Sequence, residues 1–200
     1  MNTISNWKRF ELLATNYLQE NYGDYALFEQ QGGADSTIPD ILVTTKKEKF
    51  YIETKSSEAQ SGQFVILPNN VTNEFYFSEK NKTEENKLTQ IIIDYMNNNW
   101  ESYKNVSTEG LSIDMSDSIF ANWITNYYKY KNVKYFISGL ETNFVIIPID
   151  DFSLSKDDQY QSGYRISVRS NTNNPNIIFS IKLKPNVVGI SHSSFISQLK

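Results

Sequence analysis

The chain has 200 residues, enough to bury a substantial core as one domain, and its 39% hydrophobic and 21% charged content is ordinary for a soluble globular protein. With no cysteine and one histidine, His192, disulfides, thiolate metal sites, His-cluster zinc sites and any chemistry needing two histidines are excluded. The net charge of −4 argues against nonspecific coating of DNA, although it leaves room for basic residues clustered locally.

No run approaches the roughly 18 apolar residues of a membrane span, and the start MNTISNWKRF lacks a signal-peptide core, so a cytoplasmic protein is expected. A first helix is predicted over residues 6–21, capped by Ser5 or Asn6 and ended by Gly23, with Trp7, Phe10, Ala14, Tyr17 and Leu18 as its apolar stripe. Glu11 falls within or beside that stripe: its carboxylate either finds a buried partner or keeps its head in solvent at the edge. Residues 25–31 read as a first strand ended by Gly32-Gly33, whose glycines form a turn or let backbone approach phosphate. Asp35 reads as a solvated acid.

Residues 38–45 and 50–56 are rich in β-branched and aromatic side chains and flank the charged loop 46–49, which predicts a β-hairpin. Side chains two apart share a face, so Glu53 and Lys55 point the same way. If Thr45 pairs with Phe50, Asp40 lies opposite Lys55 and Leu42 opposite Glu53, and all three charges converge. Ile41, Val43 and Ile52 take the other face, and a slip of one residue would destroy both sets. Two carboxylates beside an ammonium are costly to bury unless something offsets the charge. Mg²⁺ does so with one or two carboxylates, several waters and a substrate phosphate, and Asp40 and Glu53 suit it. Lys55 would then orient or help deprotonate an attacking water, or stabilise charge on the phosphate, an arrangement suited to phosphodiester hydrolysis. The plain alternative is an exposed hairpin with cross-strand ion pairs.

Pro39-Asp40, twelve further residues, then Glu53-Thr54-Lys55 at the end of a hydrophobic strand resembles the PD-(D/E)XK nuclease signature. That motif marks most type II restriction endonucleases and several resolvases and repair nucleases. The resemblance implies Asp40 and Glu53 as ligands of Mg²⁺, for which Mn²⁺ can substitute, and Lys55 as the catalytic lysine. It also implies that Glu11, on the first helix, approaches the metal as a further ligand and catalytic acid, and that the fold contains an αβββαβ core.

Beyond the motif, Gln60, Ser61 and Gln63 are placed to touch DNA backbone, while Ser61-Gly62 is equally a plain turn. Strands are predicted at 63–67 and 74–78 around a PNN turn. A helix at 83–98, capped near Asn81 or Thr83, turns Leu88, Ile91, Ile92 and Tyr95 inward, with Lys80, Lys82 and Lys87 as a basic or merely solvated edge. The next helix, 117–132, carries Ile119, Phe120, Trp123, Ile124, Tyr127 and Tyr128. Its run from Tyr127 to Lys131 interleaves aromatic and basic groups, as core packing or a nucleic-acid surface does. Strands follow at 133–139 and 143–150. Arg165, Arg169, Asn171, Asn173 and Asn174 lie near a strand and its turn, where they either read bases and phosphates or form a surface hairpin. Residues 177–183 are expected to close the sheet and the Ser-rich end from Ser191 to fray.

Together these expectations describe an α/β (α+β) fold, a mixed central sheet with flanking helices. Residues 1–200 are expected to form a single nuclease domain, with the αβββαβ restriction-endonuclease-like core that the resemblance implies at about 5–140 and added strands, a candidate DNA-recognition region, at 141–200. The expected activity is a Mg²⁺-dependent, sequence-specific endonuclease on double-stranded DNA. A homodimer would cut both strands of a palindrome, and a restriction enzyme would have a cognate methyltransferase. A structure-selective junction resolvase and a non-catalytic DNA-binding or inhibitory protein are the alternatives.

Overall fold

The computed structural model describes residues 5–31, 37–56, 60–106, 111–140, 143–151, 164–169, 176–182 and 189–200, the segments 164–169 and 176–182 by backbone alone. Gly32, Gly33 and Asp35 lie outside the described residues, as do Asn171, Asn173 and Asn174. The chain runs α1 (Asn6–Tyr22), β1 (Leu27–Gln30), β2 (Ile41–Thr44), β3 (Lys49–Ser56), β4 (Gln60–Asn69), β5 (Glu74–Phe77), α2 (Lys87–Asn98) and α3 (Trp100–Tyr103). It continues through β6 (Leu111–Ser112), α4 (Asp117–Tyr130), β7 (Val133–Leu140), β8 (Asn143–Pro148), β9 (Tyr164–Arg169), β10 (Asn176–Lys182) and α5 (His192–Leu199). No helix among the described residues is long and apolar enough to cross a membrane.

These elements group into two compact units, the first formed by Met1–Ala59, Thr125–Ser153 and Lys184–Lys200 and the second by Gln60–Ile124 and Leu154–Leu183. The first holds a five-stranded sheet in the order β1-β2-β3-β7-β8. All its pairs are antiparallel except β3 with β7, whose parallel pairing requires the long crossover that ends in α4. One face of this sheet, with Ile41, Val43, Phe50, Ile52, Tyr135, Ile137 and Ile146, shares a core with Ala14, Leu18 and Tyr22 of α1 and Phe195 and Leu199 of α5. Helix α1 buries Glu11, Ala14, Thr15, Leu18 and Tyr22, a stripe at helical spacing that begins only at Glu11. Trp7, expected in the stripe, is half exposed.

The predicted fraying of the C-terminus is overturned. Ser191 caps α5, its Oγ accepting from the Ser194 amide at 3.2 Å, and Phe195 and Leu199, four apart, are buried against Tyr22 and Tyr135. The serines that read as a loose tail supply the cap and the polar face of a helix.

The second unit is an antiparallel sheet ordered β5-β4-β10-β9-β6. Residues 177–183 therefore do not close the first sheet, because β10 pairs with β4 on one side and β9 on the other. Phe64 of β4 meets Trp123 at 5.5 Å, and Trp123 Nε1 donates to Thr89 of α2 at 2.9 Å. A side chain at Gly62 would collide with the Trp123 ring, so glycine lets the indole lie against the strand. Helix α2 starts later than predicted because Asn86 caps it, accepting from the Leu88 and Thr89 amides. Its buried stripe is Thr89, Ile92, Ile93 and Met96, rotated by about one residue from the expected set. Helix α4 contributes its first residues to the second unit and those from Thr125 onward to the first.

Candidate active site

The hairpin forms, in a register two residues from the predicted one. Thr44 pairs with Lys49, Val43 with Phe50, Leu42 with Tyr51 and Ile41 with Ile52. The cause is local: Thr45 leaves the strand to make the turn, its amide donating to Glu48 O and its hydroxyl accepting from the Lys47 and Glu48 amides. A shift of two preserves side-chain parity, so the apolar set keeps its face and the charges theirs. Extended one step past Ile41–Ile52, this register would set Asp40 opposite Glu53 rather than Lys55, but Asp40 precedes β2 and its carboxylate is bonded to Thr54.

Asp40 is anchored by its backbone and by its carboxylate. Its carbonyl accepts from the Gln31 amide at 2.8 Å, and its Oδ2 accepts from both the amide and the hydroxyl of Thr54, each at 2.7 Å. Glu53 is buried, and its Oε1 accepts from Lys55 Nζ at 2.7 Å and from the Tyr128 hydroxyl at 3.3 Å. Both carboxylates are thus held through one oxygen, with the second free of any hydrogen bond among the described residues. Glu11 is buried on α1, and its Oε2 accepts from Gln30 Nε2 at 3.1 Å, so its head is not in solvent. The whole arrangement belongs to the first unit.

Burial, reinforced by the neighbouring Glu53 carboxylate, pushes the Asp40 carboxyl up to about 7 against the opposing pull of Lys55 and the Thr54 bonds. Burial also raises Glu11, with Glu53 adding and Gln30 opposing. Burial works against the Lys55 ammonium, but Glu53 and Asp40 outweigh it and its pKa is raised. Tyr128 is driven well above its ordinary value by burial and by Glu53, so its hydroxyl stays a donor. Asp40 and Glu11, each raised by burial and by the charge of Glu53, form with Glu53 a donor set short of positive charge, which a hard divalent cation fits. Among the described residues no three His, Cys, Asp or Glu side chains are gathered closely enough to hold a metal by themselves. Mg²⁺, which takes one or two protein carboxylates and completes its shell with water and phosphate, does not need three.

Thr54, Gln30 and Tyr128 belong to this site although sequence reasoning did not single them out for it. Thr54 sits inside the motif and was legible there, whereas the contact of Tyr128 spans 75 positions and leaves no sequence signal. Ser138 pairs with Lys55 across β3 and β7 and shares its face; it is buried with no hydrogen-bond partner among the described residues. Tyr127 Oη accepts from Lys131 Nζ at 2.9 Å, and the same ammonium lies 4.2 Å from the Tyr127 ring centroid, so this aromatic and basic run is structured within the protein.

Of the predicted DNA contacts, Gln63 is exposed. It pairs with Ser180, which pairs with Arg165, which pairs with Ser112, so backbone register places these four in one row across the second sheet. Arg169 lies four positions further along the β9 backbone, and on β4 Phe64 and Ile66 are buried. Gln60 is in register with Lys182 beyond a bulge, and Ser61 lies between Gln60 and Gly62 on the β4 backbone.

The order α1-β1-β2-β3-α4-β7, with Asp40 and Glu53-Thr54-Lys55 at the hairpin, defines a restriction-endonuclease-like core. No protein-family model matches the sequence, and no curated protein does. A solved structure of HhaI endonuclease in complex with DNA is similar over 98% of this chain and 99% of that one, at 32% sequence identity and a TM-score of 0.75. The chain belongs to the PD-(D/E)XK restriction-endonuclease superfamily.

Proposed function

We propose that the protein is a Mg²⁺-dependent, sequence-specific endonuclease on double-stranded DNA, of the type II restriction class. The observation that carries this reading is the convergence of Asp40, Glu53 and Lys55 at one hairpin, in a chain similar end to end to an endonuclease whose solved structure contains DNA.

Asp40 and Glu53 are the proposed metal ligands, each offering the oxygen that Thr54, Tyr128 and Lys55 leave free. Glu11, oriented by Gln30, would be the further acid able to hold the ion from the α1 side. Bound there, Mg²⁺ (or Mn²⁺) supplies positive charge toward phosphate oxygens and acidifies water. Lys55, kept charged by the two carboxylates, orients the attacking water by hydrogen bonding and stabilises the negative charge that develops on the phosphate. Thr54 holds Asp40 in place while the phosphate passes through its five-coordinate state.

The polar row Gln63, Ser180, Arg165 and Ser112, with Arg169, is the proposed DNA-facing surface of the second unit, joined by Gln60, Ser61 and the Asn171, Asn173 and Asn174 cluster. Both units would serve one nuclease domain, acting in the cytoplasm as a homodimer on a palindromic site beside a methyltransferase that protects the host sequence. The test is cleavage of a mixed-sequence plasmid. Discrete fragments that require Mg²⁺, vanish with EDTA and vanish with Lys55→Ala are expected; an intact plasmid that the protein still binds would replace this reading with a DNA-binding one.

A further inference from the structure

We infer that Tyr128 is a positioning residue of this site, fixing the Glu53 carboxylate through Oε1 so that its other oxygen stays available to a divalent cation; the role rests on the nuclease reading above. Tyr128 is 2% exposed and has little freedom. Its ring stands edge-on to Phe136 at 4.8 Å and to Tyr127 at 4.9 Å, which fixes where the hydroxyl can go. That hydroxyl donates to the same Glu53 oxygen that Lys55 holds. The ring also carries the Lys55 ammonium 5.8 Å and the Lys131 ammonium 5.7 Å from its centroid, so one side chain orients both members of the Glu53–Lys55 pair.

The other two acids follow the same pattern. Thr54 holds Asp40 through Oδ2, Gln30 holds Glu11 through Oε2, and Tyr128 holds Glu53 through Oε1. These three donors are neutral; Glu53 alone also takes a charged one, the Lys55 ammonium at 2.7 Å on the same oxygen. A neutral donor fixes a carboxylate's direction without adding positive charge beyond that of Lys55, whereas an arginine in place of Tyr128 would add a second cation. A buried tyrosine with its hydroxyl merely satisfied would need none of this, and the two possibilities differ in metal affinity.

The experiment compares wild-type protein with Tyr128→Phe, which keeps the ring and its packing and removes only the hydroxyl. Mn²⁺ affinity is measured by electron paramagnetic resonance of the free ion without DNA, and kcat and KM are measured on plasmid. Tyr128→Phe should melt within about 5 °C of wild type, bind Mn²⁺ about 10-fold or more weakly and lose kcat by a similar factor with KM little changed. Phe136→Leu, which loosens the ring's seat but keeps the hydroxyl, should weaken Mn²⁺ less. Affinity and kcat within about twofold of wild type in Tyr128→Phe, or equal weakening by both variants, would overturn the positioning role while wild-type cleavage kept the nuclease reading intact. Weakened Mn²⁺ binding in Tyr128→Phe beside a wild-type protein that cuts no DNA would uphold the role and remove the nuclease reading.

Discussion

Asp40→Asn should stabilise the metal-free protein while abolishing cleavage. The wild-type carboxyl rises from 3.8 to about 7 on folding because burial and Glu53 both disfavour its charge. A folded pKa above the unfolded one means that the native state binds the proton more tightly. The associated stability is fully present below the unfolded pKa, near 4, and is lost as pH rises through about 7. Three pKa units at about 1.4 kcal/mol each put the burden of the charged form at ~4 kcal/mol by pH 8, an upper bound because Asp40 keeps some solvent contact. Near pH 5 the same linkage gives ~2 kcal/mol. Asparagine keeps an oxygen for the two Thr54 bonds and carries no charge at any pH. Urea unfolding in EDTA, followed by tryptophan fluorescence, should therefore show Asp40→Asn more stable than wild type by up to about 4 kcal/mol at pH 8, with the gap halving toward pH 5. Added Mg²⁺ should narrow the gap at pH 8 by stabilising wild type alone. If Asp40→Asn is no more stable at pH 8, or its advantage does not shrink on acidification, the charge-frustrated pocket is refuted.

Phe195→Ala should destabilise the protein by about 3–5 kcal/mol, since the ring is fully buried among Tyr22 and Tyr135. An unchanged urea midpoint would mean that α5 does not dock. Replacing Arg165 and Arg169 together by Ala should weaken DNA binding and flatten the dependence of log K on log salt by about one unit per lost phosphate contact. An unaltered salt slope would remove that row from the DNA surface.

Much of the site was legible because strand chemistry is local. Alternation of apolar and charged residues set the parity of β2 and β3, and a register shift of two leaves Glu53 and Lys55 on a shared face; Asp40, just before β2, is instead fixed by Thr54. Glu11 was legible as an acid on or beside the buried stripe, but whether it was buried depended on where α1 meets the sheet, and the stripe starting at Glu11 instead of Trp7 decided it. Ser191 and the Phe195–Leu199 spacing signalled a helix that the serine content concealed.

From sequence alone came the signature, the mixed α/β class and the chemistry of the donor set, because residue type and a period of two are properties of short segments. Only the tertiary structure decided which strands share a sheet and which neutral side chains hold the acids. Pairing β10 with β4 joins residues more than a hundred positions apart, and Tyr128 reaches Glu53 across 75. Neither contact leaves a local periodicity, since packing, not chain proximity, selects it.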